Sequence, residues 1–151
     1  MRTEEFVMRG NTASGATEVL NFSGFKPGYA YKLIDFKVMP SSNLGGLDNE
    51  CFGTITAGKS AVDPVNPNFN DDGLIGTALM LLRAGDNNFI GPFVDSIIND
   101  TFLITQNLIL QVVNTGGAGD PVNWQCRFES VKMSGPEEAV ANYRQYLISD
   151  E

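Results

Sequence analysis

From Val122 to Glu129 apolar and polar residues alternate: Val122, Trp124, Cys126 and Phe128 stand against Gln125, Arg127 and Glu129. A helix would scatter the four apolar residues around its circumference, whereas a strand places them on one face. The same period recurs along the chain in short stretches, each stopped by Gly, Pro, Asn or Asp. Glu4 to Arg9, Thr17 to Phe22, Tyr29 to Met39 and Glu50 to Thr56 read as strands. So do Leu74 to Arg83, Phe89 to Val94, Thr101 to Thr105, Leu108 to Asn114 and Val122 to Met133.

Within the third segment Ala30, Ile34, Phe36 and Val38 share one face, with Tyr31, Leu33, Asp35 and Lys37 on the other. In the last segment the phase slips near Ser130, after which Val131 and Met133 hold the apolar positions, and a β-bulge is predicted there. Leu74 to Arg83 is apolar throughout, and the close bracket of Gly73 and Gly85 favours strand over helix. Pro92 predicts an edge or bulge in the Phe89–Val94 strand. Residues 57–73 hold Pro64 and Pro67 with several Asn and Asp, and form a loop of a length that is often functional.

The end of the chain changes period. Ser134 or Gly135 can cap a helix, Pro136 suits its first turn, and Glu137 and Glu138 meet the positive end of its dipole. Val140, Tyr143 and Leu147 then fall on one helical face, through Ile148. Eight or nine strands and one short helix, without internal repeat or linker, predict a single all-β domain over residues 1–151. A β-sandwich of about eight strands, a jelly roll first among the choices, fits this count.

Composition narrows the function. The formal net charge is -8 and the ten basic residues are scattered, which speaks against binding a phosphate backbone. There is no histidine, the commonest general base and metal ligand. The longest apolar run, Ala78 to Leu82, falls far short of the ~18 residues of a membrane helix. The acidic start, Glu4-Glu5, with no apolar stretch behind it, is not a secretory signal and points to synthesis in a cytosol. Without such a signal, Asn21-Phe22-Ser23 and Asn99-Asp100-Thr101 read as chance matches to the glycosylation pattern.

Two motifs bear on chemistry. Gly53-Thr54-Ile55-Thr56-Ala57-Gly58-Lys59-Ser60 matches the P-loop pattern, in which backbone amides cradle phosphates, Lys59 would reach them and Ser60 would hold Mg²⁺. That chemistry needs a buried strand before the loop and a helix starting at Lys59; Pro64 and Pro67 forbid the helix. Asn68-Phe69-Asn70-Asp71-Asp72-Gly73 resembles half of a Ca²⁺ loop, but Leu79 stands where the bidentate Glu belongs. An Asx-type turn is the simpler reading.

Cys51 and Cys126 both lie on strands and read as buried thiols, with a disulfide open only to adjacent strands. The eighteen acids single out no catalytic pair. Phe22, Phe25, Tyr29 and Tyr31 could form a sugar-stacking platform, although core packing is the readier explanation. No residue is thereby assigned a catalytic, cofactor-binding or metal-binding role, and an enzyme is not expected.

The run Thr101-Phe102-Leu103-Ile104-Thr105-Gln106-Asn107-Leu108-Ile109-Leu110, a Gly-rich turn, and Val122-Asn123-Trp124-Gln125-Cys126-Arg127-Phe128-Glu129 resemble small single-jelly-roll virion proteins of marine bacteriophages. The resemblance covers the C-terminal third and carries over no functional residue. It implies a capsid or capsid-decoration protein in the virion, made in the host cytoplasm. Its partners would be itself, a trimer included, and other capsid proteins, with neither nucleic acid nor membrane. A carbohydrate-binding jelly-roll module, such as a phage receptor-binding part, is the alternative; a small nucleotide-binding enzyme would rest on Gly53–Ser60 alone.

Overall fold

A computed structural model describes residues 4–22, 28–42, 44, 46–82, 93–116 and 119–149. Eight strands run in the order β1 (Glu5–Thr12), β2 (Thr17–Leu20), β3 (Tyr29–Pro40), β4 (Asn49–Thr56), β5 (Leu74–Leu82), β6 (Phe93–Ile98), β7 (Leu108–Asn114) and β8 (Val122–Lys132). One helix, α1 (Gly135–Ser149), follows. The strands form two antiparallel sheets, β1-β8-β3 and β2-β7-β4-β5-β6. The mostly-β sandwich with a short C-terminal helix is as the alternation predicts.

In an eight-stranded jelly roll the strand pairs wrap between two sheets of four. The orders β1-β8-β3 and β2-β7-β4-β5 follow that wrap, in which the sixth strand lies beside the third. Here β6 departs from it and stays beside β5, from Gly76↔Ile98 to Leu81↔Phe93. Part of the place beside β3 is taken by the segment 101–105. It makes one bridge, in which Tyr31 and Ile104 exchange two backbone hydrogen bonds of 2.9 and 2.8 Å. The strand predicted over Thr101–Thr105 is thus a single bridge, with Phe102 and Ile104 buried by side-chain packing. Of the strand predicted at Phe89–Val94, residues 89–92 lie outside the described residues, and β6 continues beyond it to Ile98.

The predicted faces of β3 need correction. The β3–β8 register shifts between Leu33 and Asp35, so Ile34 is an extra residue, a β-bulge. The shift brings Tyr31 and Leu33 onto the same buried face as Phe36 and Val38. The bulge predicted near Ser130 is absent: β8 pairs with β3 in continuous register from Phe128 to Lys132, and its pairing with β1 begins at Glu129. The phase slip read from Val131 and Met133 has another cause. Met133 and Ala30 face α1 and form a small second core with Ala141.

The main core lies between the sheets and joins residues of both. At one end Phe6, Phe22, Tyr31 and Phe128 form an aromatic cluster with ring centroids 5.0 to 6.2 Å apart. Burying one such ring contributes about 1.5–3 kcal/mol. At the centre, glycines set the spacing of the sheets. A Cβ on Gly53 would come within 2.8 Å of the Phe36 ring, and one on Gly76 within 2.6 Å of Leu33 Cδ2. Those positions let β3 settle closely over β5. Asn49 and Asn114 add a buried polar tie, Asn114 Nδ2 donating to Asn49 Oδ1 at 2.9 Å.

The helix starts as its sequence predicts, with the Glu137 N–H donating to Ser134 Oγ at 3.4 Å. Its buried side is Ala141 and Gln145, while Val140, Tyr143 and Leu147 face solvent. Gln145 holds the helix down: its Oε1 accepts from the backbone N–H groups of Thr105 and Gln106 at 2.6 and 3.1 Å and from Thr105 Oγ1 at 3.0 Å. The exposed apolar row is the face that the spacing singles out, but a glutamine, not that row, makes the anchor.

Candidate functional site

The two sheets turn very different outer faces to solvent. On the three-stranded sheet the rungs, read across β1-β8-β3, are Glu5–Glu129–Lys32, Val7–Arg127–Asp35, Arg9–Gln125–Lys37 and Asn11–Asn123–Met39. Charged and amide side chains fill most positions. Arg127 meets Glu5 at 3.4 Å, Lys37 meets Asp35 at 3.8 Å, and Asn11 Nδ2 donates to Asn123 Oδ1 at 2.8 Å. This is a solvated face.

On the five-stranded sheet the corresponding rungs run Val113–Phe52–Leu79–Asp95 and Gln111–Thr54–Thr77–Ile97. A further rung runs Glu50–Leu81–Phe93. Apolar groups therefore share this outer face with Gln111, Thr54, Thr77 and Asp95. Phe93 and Ile97 remain 57% and 55% exposed.

The loop 57–73 closes over one end of this face. Thr54 Oγ1 donates to the Val62 carbonyl at 2.6 Å, and the Val62 N–H donates to Thr56 Oγ1 at 3.1 Å. Asp63 organises the next turn by accepting from the Val65 N–H at 3.0 Å and Asn66 Nδ2 at 3.2 Å. Those two hydrogen bonds hold its carboxyl below the ordinary range. The loop then presents Phe69, 62% exposed, beside a groove of about 260 Å³ against Phe52, Leu79 and Ile97, with Asp95 among its lining. This apolar face with its groove is the candidate functional surface.

A second, larger groove of about 600 Å³ lies where β6 has stayed with β5. Arg9, Lys37 and Met39 of the three-stranded sheet line it together with Met80 and Val94 of the other sheet. A third, of about 360 Å³, separates α1 from the segment 101–105, with Leu103, Val140 and Arg144 on its walls. Arg144 caps it by lying 5.5 Å from the centre of the Phe102 ring.

The residues singled out in the sequence are not brought together. Gly53 to Thr56 belong to β4, a strand inside the sheet, and Gly53 is packed beneath Phe36 and Val38. The turn at Ala57–Ser60 leads into the loop, not into a helix, so no phosphate cradle forms. In the 68–73 turn the side-chain oxygens serve the backbone: Asn68 Oδ1 accepts from the Asn70 N–H at 3.0 Å and Asp71 Oδ1 from the Gly73 N–H at 2.9 Å. Those are Asx turns. Among the described residues no group of three or more His, Cys, Asp or Glu side chains is placed to hold a metal ion.

Cys51 and Cys126 are free and buried, one in each sheet. Burial pushes the Cys51 thiol up to about 11. Burial, with the nearby Asp35 charge, pushes Cys126 up to about 12. Neither is an activated nucleophile. Of the aromatics considered for sugar stacking, Phe22 and Tyr31 are buried in the core and Tyr29 packs against it; Phe25 lies outside the described residues. Burial, with Glu4 and Tyr29 nearby, also raises the Tyr31 hydroxyl.

No protein-family model, curated protein or solved structure matches the chain. Among the described residues no helix is long and apolar enough to cross a membrane.

Proposed function

We propose that the chain is a structural protein of a virion, a capsid decoration protein or other capsid component, which works through protein–protein assembly and not by catalysis. The observation that carries the reading is the apolar outer face of the five-stranded sheet. A solvated sheet alternates apolar inside with polar outside. A face that keeps Phe52, Leu79, Phe93 and Ile97 on its outer side, next to an exposed Phe69, has the character of an interaction surface. The charged outer face of the other sheet then suits the exterior of a particle, and the net charge of -8 keeps it dispersed.

The test is co-sedimentation of the tagged full chain with particles from infected cells, and mass spectrometry of those particles. The native chain is expected in the particle fraction. A Phe69→Ser, Ile97→Ser variant is expected to leave it while keeping its melting temperature. A native chain that never sediments with particles overturns the reading.

A sugar-binding module has one observation in its favour: the exposed Phe69 stands beside a groove whose lining includes Asp95, an apolar ring near a hydrogen-bonding carboxylate. A glycan array separates the two readings, since Phe69-dependent binders would favour it and their absence would remove it.

A further inference from the structure

Strand β6 is one of the least covered elements of the sandwich. Among the described residues it pairs only with β5, so one edge of its backbone is open. Its side chains are uncovered on both faces: Phe93 and Ile97 on the outer face, and Val94, 48% exposed, on the inner. Open strand edges are templates for pairing, and proteins usually blunt them with charges, bulges or prolines. The edge of β3 is blunted in this way by the Ile34 bulge and by Lys32, Asp35 and Lys37. The edge of β1 carries Glu5 and Arg9, and β2 is only four residues long. The single charge within β6 is Asp95.

Resting on the assembly reading above, we infer that the partner of this region is a second copy of the chain, joined along β6 to β6 in antiparallel pairing about a two-fold axis. Three observations choose that partner. The first is which backbone groups are free. Asn99 N–H donates to the Ile75 carbonyl at 2.8 Å, and Thr77 Oγ1 donates to the Ile97 carbonyl at 3.5 Å. The register therefore turns the backbone groups of Phe93, Asp95 and Ile97 toward β5 and those of Val94, Ser96 and Ile98 outward. A ladder centred on Ser96 pairs Ser96 with its own copy and Val94 with Ile98, so the edge is complementary to itself.

The second observation is charge. Two copies at -8 repel each other, and a stable contact must avoid adding to that repulsion. Centring on Ser96 places Asp95 across from Ile97 of the other copy, not across from the second Asp95. Asp95 presently accepts the outward Ser96 N–H at 2.8 Å, so it is the group that the pairing displaces. The third is area. Val65, Phe69, Phe93 and Ile97 leave on the order of 400 Å² exposed on the outer side of this edge, within the size range of a functional surface patch, and Val94 is exposed on the inner side. The pairing merges two five-stranded sheets into one of ten strands and makes their apolar outer faces continuous.

Native mass spectrometry and sedimentation velocity of the full chain test this. A dimer is expected for the native protein. Ser96→Pro removes the outward N–H without touching the β5 ladder, and should raise the dimer dissociation constant roughly a hundredfold while urea unfolding keeps its monomer midpoint. Ile97→Asp is the second variant, setting a carboxylate across from Asp95 of the other copy with the backbone intact, and should act in the same direction. Hydrogen exchange should show the Val94 and Ile98 amides slowed in the dimer. A native monomer at all concentrations, a trimer, or a dimer indifferent to both substitutions overturns the inference. A chain that stays monomeric yet sediments with particles fails this inference alone. A Ser96-dependent dimer that never joins particles fails the virion reading alone.

Discussion

The two sheets share one core and oppose each other at their outer surfaces. The three-stranded sheet turns Arg127, Lys37, Glu5 and Asn123 to solvent. The five-stranded sheet turns Phe52, Leu79, Phe93 and Ile97 outward, partly under a loop that Thr54 and Thr56 tie down. The core needs apolar residues from only one face of each sheet. The apolar residues of the second face do not close the sandwich: Phe52 and Leu79 lie against the loop, while Phe93 and Ile97 stay exposed. The difference also separates stability from association: changes between the sheets should alter folding, and changes on the β6 side should alter assembly.

The largest expected effect is on what both sheets share. Phe128→Ala opens the aromatic cluster and should lower unfolding free energy by about 3–5 kcal/mol in urea titration, as one transition for both sheets. Two separate transitions would show that the sheets are independent.

Next comes pH. In the folded state both thiols hold their protons more tightly than in the unfolded chain, where they titrate near ~8.5. Their contribution is therefore complete below that value and is lost as pH rises toward about 11 for Cys51 and about 12 for Cys126. The melting temperature should fall along that alkaline limb, and Cys51→Ala, Cys126→Ala should flatten it. A thiol reagent at pH 8 should label neither cysteine until urea unfolds the chain.

Smaller still is the loop anchor. Thr54→Val leaves the Val62 carbonyl without its donor and should cost about 1–3 kcal/mol, with faster proteolysis at residues 61–70. The smallest effect belongs to the solvated face. Arg127→Ala removes an exposed ion pair and should shift stability by less than about 1 kcal/mol, with no change in association. A large effect there would erase the contrast between the faces.

Most of the strands were legible because their alternation is clean. Val122 to Phe128 is buried at every second residue, as read. The faces of β3 were not legible, since a one-residue bulge at Ile34 inverts every assignment before it and leaves no mark in composition. The Thr101–Thr105 strand misled because Phe102 and Ile104 are apolar for packing, while only one bridge is available beside β3. The apolar outer face did leave a signal. The run Leu79 to Leu82 is apolar at successive positions, which a strand with one wet face does not need. What no local pattern could give is the strand beside which β6 comes to rest, because that choice depends on residues far away in sequence.

The pairing of β8 with β1 joins Phe6 to Phe128 across most of the chain. During synthesis the three-stranded sheet must therefore wait until the last strand has left the ribosome. The β4–β5–β6 meander needs only neighbours in sequence and can form first. Its two faces then stand uncovered in the interval, the inner one until β3 settles over it. The order of emergence thus exposes the apolar residues of this meander before the fold is complete, so chaperone capture or premature association there is the hazard that its topology sets during production in the cell.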